Sequence, residues 1–465
     1  MNAWFAYTWC AVALLVAGCS LAPPYRRPDA AVPAAYHGPV HEATARSIAD
    51  VDWWNVFGDP KLDALIREAL SGNLDLAVVA AQIAQAEAQV RAARSPIFPQ
   101  VNGQGQASRG NTTAPFVTQN SFVAALALSW EIDFWGRYRN ATEAARANLL
   151  ATEEARRGII ASLVAGVAQQ YLQLSALHQR LDIVNRTAAA QRDSLRLVKL
   201  LAAHGVQSAT EVRQAETQVL TTENQLPAIE RQIGQAEDAL SILLGKPPQS
   251  FDVAATLPAD ALPPAVPPGL PSELLERRPD IRQAEQQLIA ANANIGVARA
   301  QFFPSISLTG TLGRASEALA GLVTNRGLTL HGLSVAANVP IFQGGALVAN
   351  EQIAKAQAQQ ATAQYRRTVL VALQEVSDAL IASDRDAAEV KGNRDRVAVA
   401  QEYLRLSNER FRAGVISYLE VLDAQRQLFS AQLDLNASEV SQRLDVVQLY
   451  KALGGGWQAT NEAAQ

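Results

Sequence analysis

The sequence holds two cysteines, Cys10 and Cys19, a single methionine, Met1, and only 6% aromatic residues. Each shortage excludes something. Cys10 lies in an apolar N-terminal segment expected to be removed, so the mature chain keeps one cysteine and no disulfide can form within it. The mature chain also lacks methionine, which leaves a methionine relay for copper or silver without support. An apolar share of 49% carried largely by alanine, with so few aromatics, does not build a thick globular core. Ala, Gln, Glu, Arg and Leu dominate instead and favour long packed helices. The net charge of -4, mixed in sign, lacks the basic footprint of a nucleic-acid binder. After residue 20 there is no run of 18 apolar residues, so no internal helix is expected to cross a membrane. G-x-S-x-G, P-loop and metal-spaced cysteine motifs are missing too, and neither catalytic nor metal-binding residues are assigned. His37 and His41 have the i,i+4 spacing of a helical metal pair, but Pro39 stands between them. His178, His204 and His331 are scattered, and His204 reads as a helix C-terminal cap.

What is present begins at the N-terminus. Residues 3–18 are apolar, and Leu15-Val16-Ala17-Gly18-Cys19 resembles a bacterial lipobox. Residues 1–18 are therefore expected to be a lipoprotein signal peptide, although Met1–Val12 lacks the usual Lys or Arg. Cleavage would leave Cys19 carrying an S-diacylglycerol and an N-acyl chain such as palmitate, and the non-acidic Ser20 suits sorting to the outer membrane. Residues 19–58 then read as a lipidated, Pro- and Ala-rich tail.

From there the chain is a duplication, 59–245 and 272–457, joined by the Pro-rich linker 246–271 and followed by a tail, 458–465. Arg94-Ser-Pro-Ile-Phe98-Pro99 recurs as Arg299-Ala-Gln-Phe-Phe303-Pro304, each time turning a helical pattern into an alternating one. Gly205-Val-Gln-Ser208-Ala-Thr-Glu211 recurs as Gly414-Val-Ile-Ser417-Tyr-Leu-Glu420, 209 positions on. Asp59-Pro60 marks the first helix start. The first half predicts helices over 62–94, broken at Ser71-Gly72-Asn73, over 136–203, and over 209–244, interrupted at Pro227. The second predicts 272–302, 344–412 and 417–453. A helix near 68 residues is about 100 Å long, far beyond an ordinary soluble domain. Two shorter helices laid end to end match that length, as in a coiled-coil wall.

Four strands are predicted, over 100–108, 121–131, 305–313 and 332–340. Each alternates apolar with polar or small residues over a length suited to an outer-membrane barrel. Trp130, Phe134 and Trp135 would stand at its interface. Four strands cannot close a barrel, and lipid does not tolerate an open edge, so the chain is expected to oligomerise; three copies give about twelve strands.

Further motifs are Asp52-Trp53-Trp54, Asp133-Phe134-Trp135-Gly136, Arg278-Pro279-Asp280, Pro340-Ile-Phe342-Gln-Gly344-Gly345 and Leu449-Tyr-Lys-Ala-Leu453-Gly-Gly-Gly-Trp457. In this order the chain resembles the TolC-like outer-membrane efflux proteins, in their lipoprotein, OprM-type (NodT) branch. The resemblance implies a mainly α fold with a membrane β-barrel portion: a homotrimer whose twelve-stranded β-barrel continues into a twelve-helix periplasmic α-barrel. It implies a passive exit duct of a tripartite efflux pump for drugs or other small molecules, hence multidrug efflux and antibiotic resistance. It also implies a periplasmic adaptor (a membrane fusion protein) and an inner-membrane RND transporter as partners, with no enzyme activity and no cofactor beyond the Cys19 lipid. The adaptor would meet the tips at Gly205, Ser208, Glu211, Gly414, Ser417 and Glu420. The periplasmic gate would comprise Leu419 as constriction, Asp423 as an acidic ring and Arg410 as a basic partner. Without the resemblance, Ser and Glu at the tips are capping boxes and Asp423 is a solvated helix carboxylate. Thr210 and Gln214 take the gate positions in the first repeat, so the constriction is expected from the second alone. A lipid-anchored coiled-coil tether of the envelope is the alternative, as are exit ducts for metal efflux or type I secretion. Alternating strands favour a duct, because a tether has no use for a polar lumen.

Overall fold

The computed structural model describes residues 20–37, 54, 57–111, 118–253, 271–324 and 327–455. Cys19 and the signal segment before it, His41, Trp53, most of the linker, Trp457 and the tail 458–465 lie outside the described residues.

Helices α1 (Pro60–Gly72) and α2 (Leu74–Arg94) precede strands β1 (Gln100–Asn111) and β2 (Thr118–Ile132). Next come α3 (Arg137–Ala203), α4 (Ala209–Glu223) and α5 (Leu226–Leu243). The second repeat runs α6 (Leu274–Arg277), α7 (Pro279–Ala300), β3 (Ser305–Ser316), β4 (Leu328–Asn338), α8 (Ala346–Arg412) and α9 (Tyr418–Ala452). Helices α3 and α8 have 67 residues each.

The breaks have local causes. Asp59 caps α1 by accepting from the Lys61 N–H at 2.9 Å, and the buried Tyr171 hydroxyl donates to its other carboxylate oxygen. Asn73 separates α1 from α2, its Oδ1 accepting from the N–H groups of Asp75 and Leu76 at 2.9 and 3.2 Å. Gly72 is required beside it, since a Cβ there would lie 2.8 Å from the Leu244 carbonyl oxygen. The 209–244 segment is two helices, because Pro227 removes a donor and restarts the chain in the first turn of α5. The 272–302 segment is not one helix either. A 3-10 turn, Pro271–Glu273, leads into α6, and Arg278 is extended before α7. A residue preceding proline avoids the α conformation, and Arg278 uses the break. Buried, it donates to Asp280 and to the Ala452 carbonyl at 2.7 and 2.9 Å, and its guanidinium lies 2.7 Å from Glu375. Removing it would leave two carboxylates and a helix terminus without their donor.

The strands form one antiparallel sheet in the order β1-β2-β3-β4. They outrun the expected spans, except that β4 starts earlier and ends at Asn338, ahead of Pro340, which has no N–H to donate. Register sorts the side chains. Leu126 stands between Gly103 and Leu312, and Leu308 between Trp130 and Val335, on one face. Gln100, Ser129, Thr309 and Ser334 line up on the other. The apolar face exposes Leu126, Leu312, Leu333 and Val335. Both Phe-Pro junctions are tied by indoles: Trp130 Nε1 donates to the Ile97 carbonyl at 2.9 Å and Trp135 Nε1 to that of Pro304 at 2.7 Å. Trp135 also stacks on Phe303, centroids 4.7 Å apart.

The chain divides into two compact units. The first takes in Ala80–Glu154 and Arg282–Thr368, with the sheet and the residues up to Ala30. Residues 20–30 are held along α7 there. Arg27 grips Glu285 with two bonds of 2.7 Å, Tyr25 donates to the same carboxylate, and Ala22 packs where a side chain on Gly296 would collide. The second unit takes in Ala31–Val79, Ala155–Ile281 and Val369–Gln465. One window of α3 is apolar enough, with mean hydropathy 1.2, to cross a membrane by length and composition alone. It is 61% buried inside the protein, as a core helix is; Val164, Val167, Ala168 and Tyr171 are among its buried residues.

Candidate functional site: the two helical hairpin tips

Both hairpin turns lie in the second unit and share a backbone. Gly205 and Gly414 each take φ of 75°, a left-handed conformation natural to glycine, so each helix ends in a tight reversal. Val206 N–H donates to the Leu201 carbonyl and Val415 N–H to that of Arg410, each at 2.9 Å. His204 Nδ1 lies 2.9 Å from the Leu200 carbonyl and completes the end of α3.

The restarts differ. Ser208 and Glu211 form the expected capping box: Ser208 Oγ accepts from the Glu211 N–H at 3.3 Å and Glu211 Oε2 from the Ser208 N–H at 2.8 Å. Ser417 and Glu420 do not. The Ser417 side chain makes no capping bond, and the Glu420 N–H reaches only the Ser417 carbonyl, at 3.3 Å. The second box is thus a motif without its bonds.

Behind both turns sits one apolar cluster of Val198, Ala215, Phe411, Tyr418, Val421 and Leu422. The Phe411 and Tyr418 rings pack with centroids 5.7 Å apart and planes at 58°. Burial pushes the Tyr418 phenol up to about 12, so it stays neutral at physiological pH. On α9, Leu419 is 56% exposed, and Asp423, one turn on, is exposed as well. Asp423 Oδ2 accepts from Gln427 Nε2 at 2.6 Å and from the Tyr403 hydroxyl of α8 at 3.4 Å. Arg410 is exposed near the end of α8, and among the described residues no ion pair joins it to Asp423 within the chain. The tip arrangement therefore offers an apolar side chain and a carboxylate on one helix face. Sequence reasoning missed Val206 and Val415, 66% and 65% exposed at the two turns. The repeated Gly-Val pair was the available signal.

Compared with known proteins, residues 65–246 and 270–455 match the family model described as outer membrane efflux protein. The chain belongs to the outer membrane efflux protein family. Among curated members, it is 39% identical to the probable efflux pump outer membrane protein TtgC of Pseudomonas putida, over 97% of this chain and 96% of that one. It is 37% identical to the cation efflux system protein CusC of Escherichia coli O6:H1, over 96% and 98%. The solved open state of the Neisseria gonorrhoeae MtrE outer membrane channel superposes with a TM-score of 0.85 at 30% identity, covering 95% of this chain and 99% of MtrE. The protein is accordingly an outer-membrane efflux channel that reaches into the periplasm, in a family of channels and not of enzymes.

Proposed function

We propose that three copies of this channel close one twelve-stranded barrel over a twelve-helix α-barrel and act as the passive exit duct of a tripartite pump. The observation that carries this is the open sheet. Among the described residues, edge strands β1 and β4 have no second partner, while one sheet face is apolar and exposed. Lipid cannot satisfy such edges, and joining β4 of one copy to β1 of the next satisfies them all. The lipid on Cys19, an S-diacylglycerol and an N-acyl chain, adds a second attachment to the outer membrane. A periplasmic adaptor meets the tips through Gly205, Ser208, Glu211, Gly414, Ser417 and Glu420, with Val206 and Val415 as its apolar contacts. An inner-membrane RND transporter supplies the energy and selects the drugs or other small molecules exported. The gate is the second-repeat tip: Leu419 narrows the mouth, Asp423 rings it with carboxylates, and Arg410 steadies neighbouring tips. Light scattering of the detergent-solubilised protein is expected to give the mass of three chains. A stable monomer ends the shared-barrel reading.

A further inference from the structure

The chain carries an internal template for the seam between copies. In a duplicated chain, β4 meeting β1 of the next copy repeats the relation of β2 to β3. The Phe-Pro junctions lay β1 on β3, since Phe98 and Phe303 are 205 positions apart. With that offset, the registers Gln100 opposite Ser129 and Ser305 opposite Asn338 carry β2 onto β4 at an offset of 209. A second marker agrees. Gly136 and Gly345, also 209 apart, are both left-handed, at φ 74° and 86°, one residue before α3 and α8. Within one chain the central seam sets Leu126 opposite Leu312, Ala125 opposite Gly313 and Ser129 opposite Thr309. The two offsets move those pairs onto β4 and β1.

We propose that β4 joins β1 of the next copy with Val335 opposite Ala107, Ser334 opposite Ser108 and Asn338 opposite Gln104. The register rests on the shared-barrel reading and adds what that reading leaves open. A slip of one residue is excluded, because it would turn the apolar face of one strand into the polar lumen. A slip of two is the competitor, and the side chains decide against it. In the proposed register Ile341, 92% exposed in the single chain, comes level with Val101, 63% exposed, so each covers the other. Two residues either way, Ile341 would meet Pro99 or Gly103 instead. On the lumen side Ser334 meets Ser108 and Asn338 meets Gln104, pairs able to hydrogen-bond across strands. Arg109 falls beside Leu333 near the end of β1, where its stem lies on the leucine and its head reaches water.

The test is thiol cross-linking of the full-length protein in outer-membrane fractions, oxidised with copper phenanthroline, with each single-cysteine variant as its control. One variant carries Val335→Cys with Ala107→Cys, another Ser334→Cys with Ser108→Cys. Neighbouring rungs of an antiparallel ladder alternate between close and wide spacing, so one of these pairs lies at the shorter one. Denaturing gels are expected to show covalent dimers and trimers from at least one pair. The yield should be about fivefold above that of Val335→Cys with Gly105→Cys or with Arg109→Cys, each about 7 Å out of register. Light scattering before oxidation separates the two ways to fail. Trimers that cross-link best at Gly105 or Arg109, or at no pair, overturn the register and leave the shared barrel standing. Monomers overturn both.

Discussion

The two tip turns superimpose in backbone logic and differ in what holds them. In the first repeat, ion pairs join α3 to α4: Lys199 to Glu216 at 2.9 Å and Arg192 to Glu223 at 2.6 Å. At the same positions 209 residues on, the second repeat has Asn408, Gln425, Gln401 and Gln432, all uncharged amides. Conversely, Phe411 and Tyr418 stand where the first repeat has Ala202 and Ala209. One hairpin is closed by charges and a complete capping box, the other by an aromatic pair beneath an unused cap. Cross-helix ion pairs between α8 and α9 begin only farther from the turn, at Arg396–Asp434 and Arg394–Glu439. Duplication preserved the turn and let its fastenings diverge, so the two tips can answer differently to the same partner.

Breaking the aromatic fastening should have the largest effect. Phe411→Ala is expected to cost about 3–5 kcal/mol of local stability, as for buried aromatics generally. It should expose α8–α9 near the turn to proteolysis while α3–α4 stays protected. Equal loss in both hairpins would mean that the cluster, not the pair, is the unit. Next in size are the positions proposed for the gate. In planar bilayers Asp423→Ala should lower cation selectivity several-fold, whereas Gln214→Ala, its first-repeat counterpart, should leave it unchanged. Leu419→Ala or Arg410→Ala should raise the resting conductance. If the two repeats responded alike, the assignment of the gate to the second would fall.

The caps offer a finer contrast. Ser208→Ala should cost about 1 kcal/mol and Ser417→Ala a few tenths, because only Ser208 makes the bond. Amide hydrogen exchange over 209–212 and 418–421 reads both. The smallest effect is electrostatic. Bonds from Lys199, then Arg213, hold the Glu216 carboxyl below its ordinary range. A depressed folded-state value means the stabilisation is present above the unfolded value, about 4.3, and fades as pH falls through the folded one. Being exposed, the pair contributes little. The small difference in thermal midpoint between native and Lys199→Gln protein should therefore vanish in acid, and a difference that persists at pH 3 would remove Glu216 from the account.

Period and punctuation made most of the fold legible. Strict alternation marked all four strands, because a half-buried sheet repeats every two residues, and Pro, Gly and Asn marked the helix ends. The break at Arg278 was equally available from Pro279, yet the helical pattern on both sides concealed it; what settles it is a guanidinium shared between the neighbouring Asp280 and two distant segments, at Glu375 and Ala452. The capping motif at Ser417 was legible and its bonds are absent, since a motif states which bonds could form, not which rotamer wins. The burial of Gln191 left no trace in the sequence. A glutamine among polar heptads looks solvated until the packing of three helices buries it.

The strand order carries one more consequence, for how the molecule is made. Hairpins β1–β2 and β3–β4 close over short connections, but β2 pairs with β3 across everything from Asp133 to Pro304. Loop closure on that scale is entropically costly and slow beside local helix formation. The central seam of the sheet is thus expected to join late, after the helices of the first repeat have folded back. Until then each half carries a two-stranded ribbon too small to be stable alone. Synthesis and secretion can therefore finish before any surface committed to lipid exists.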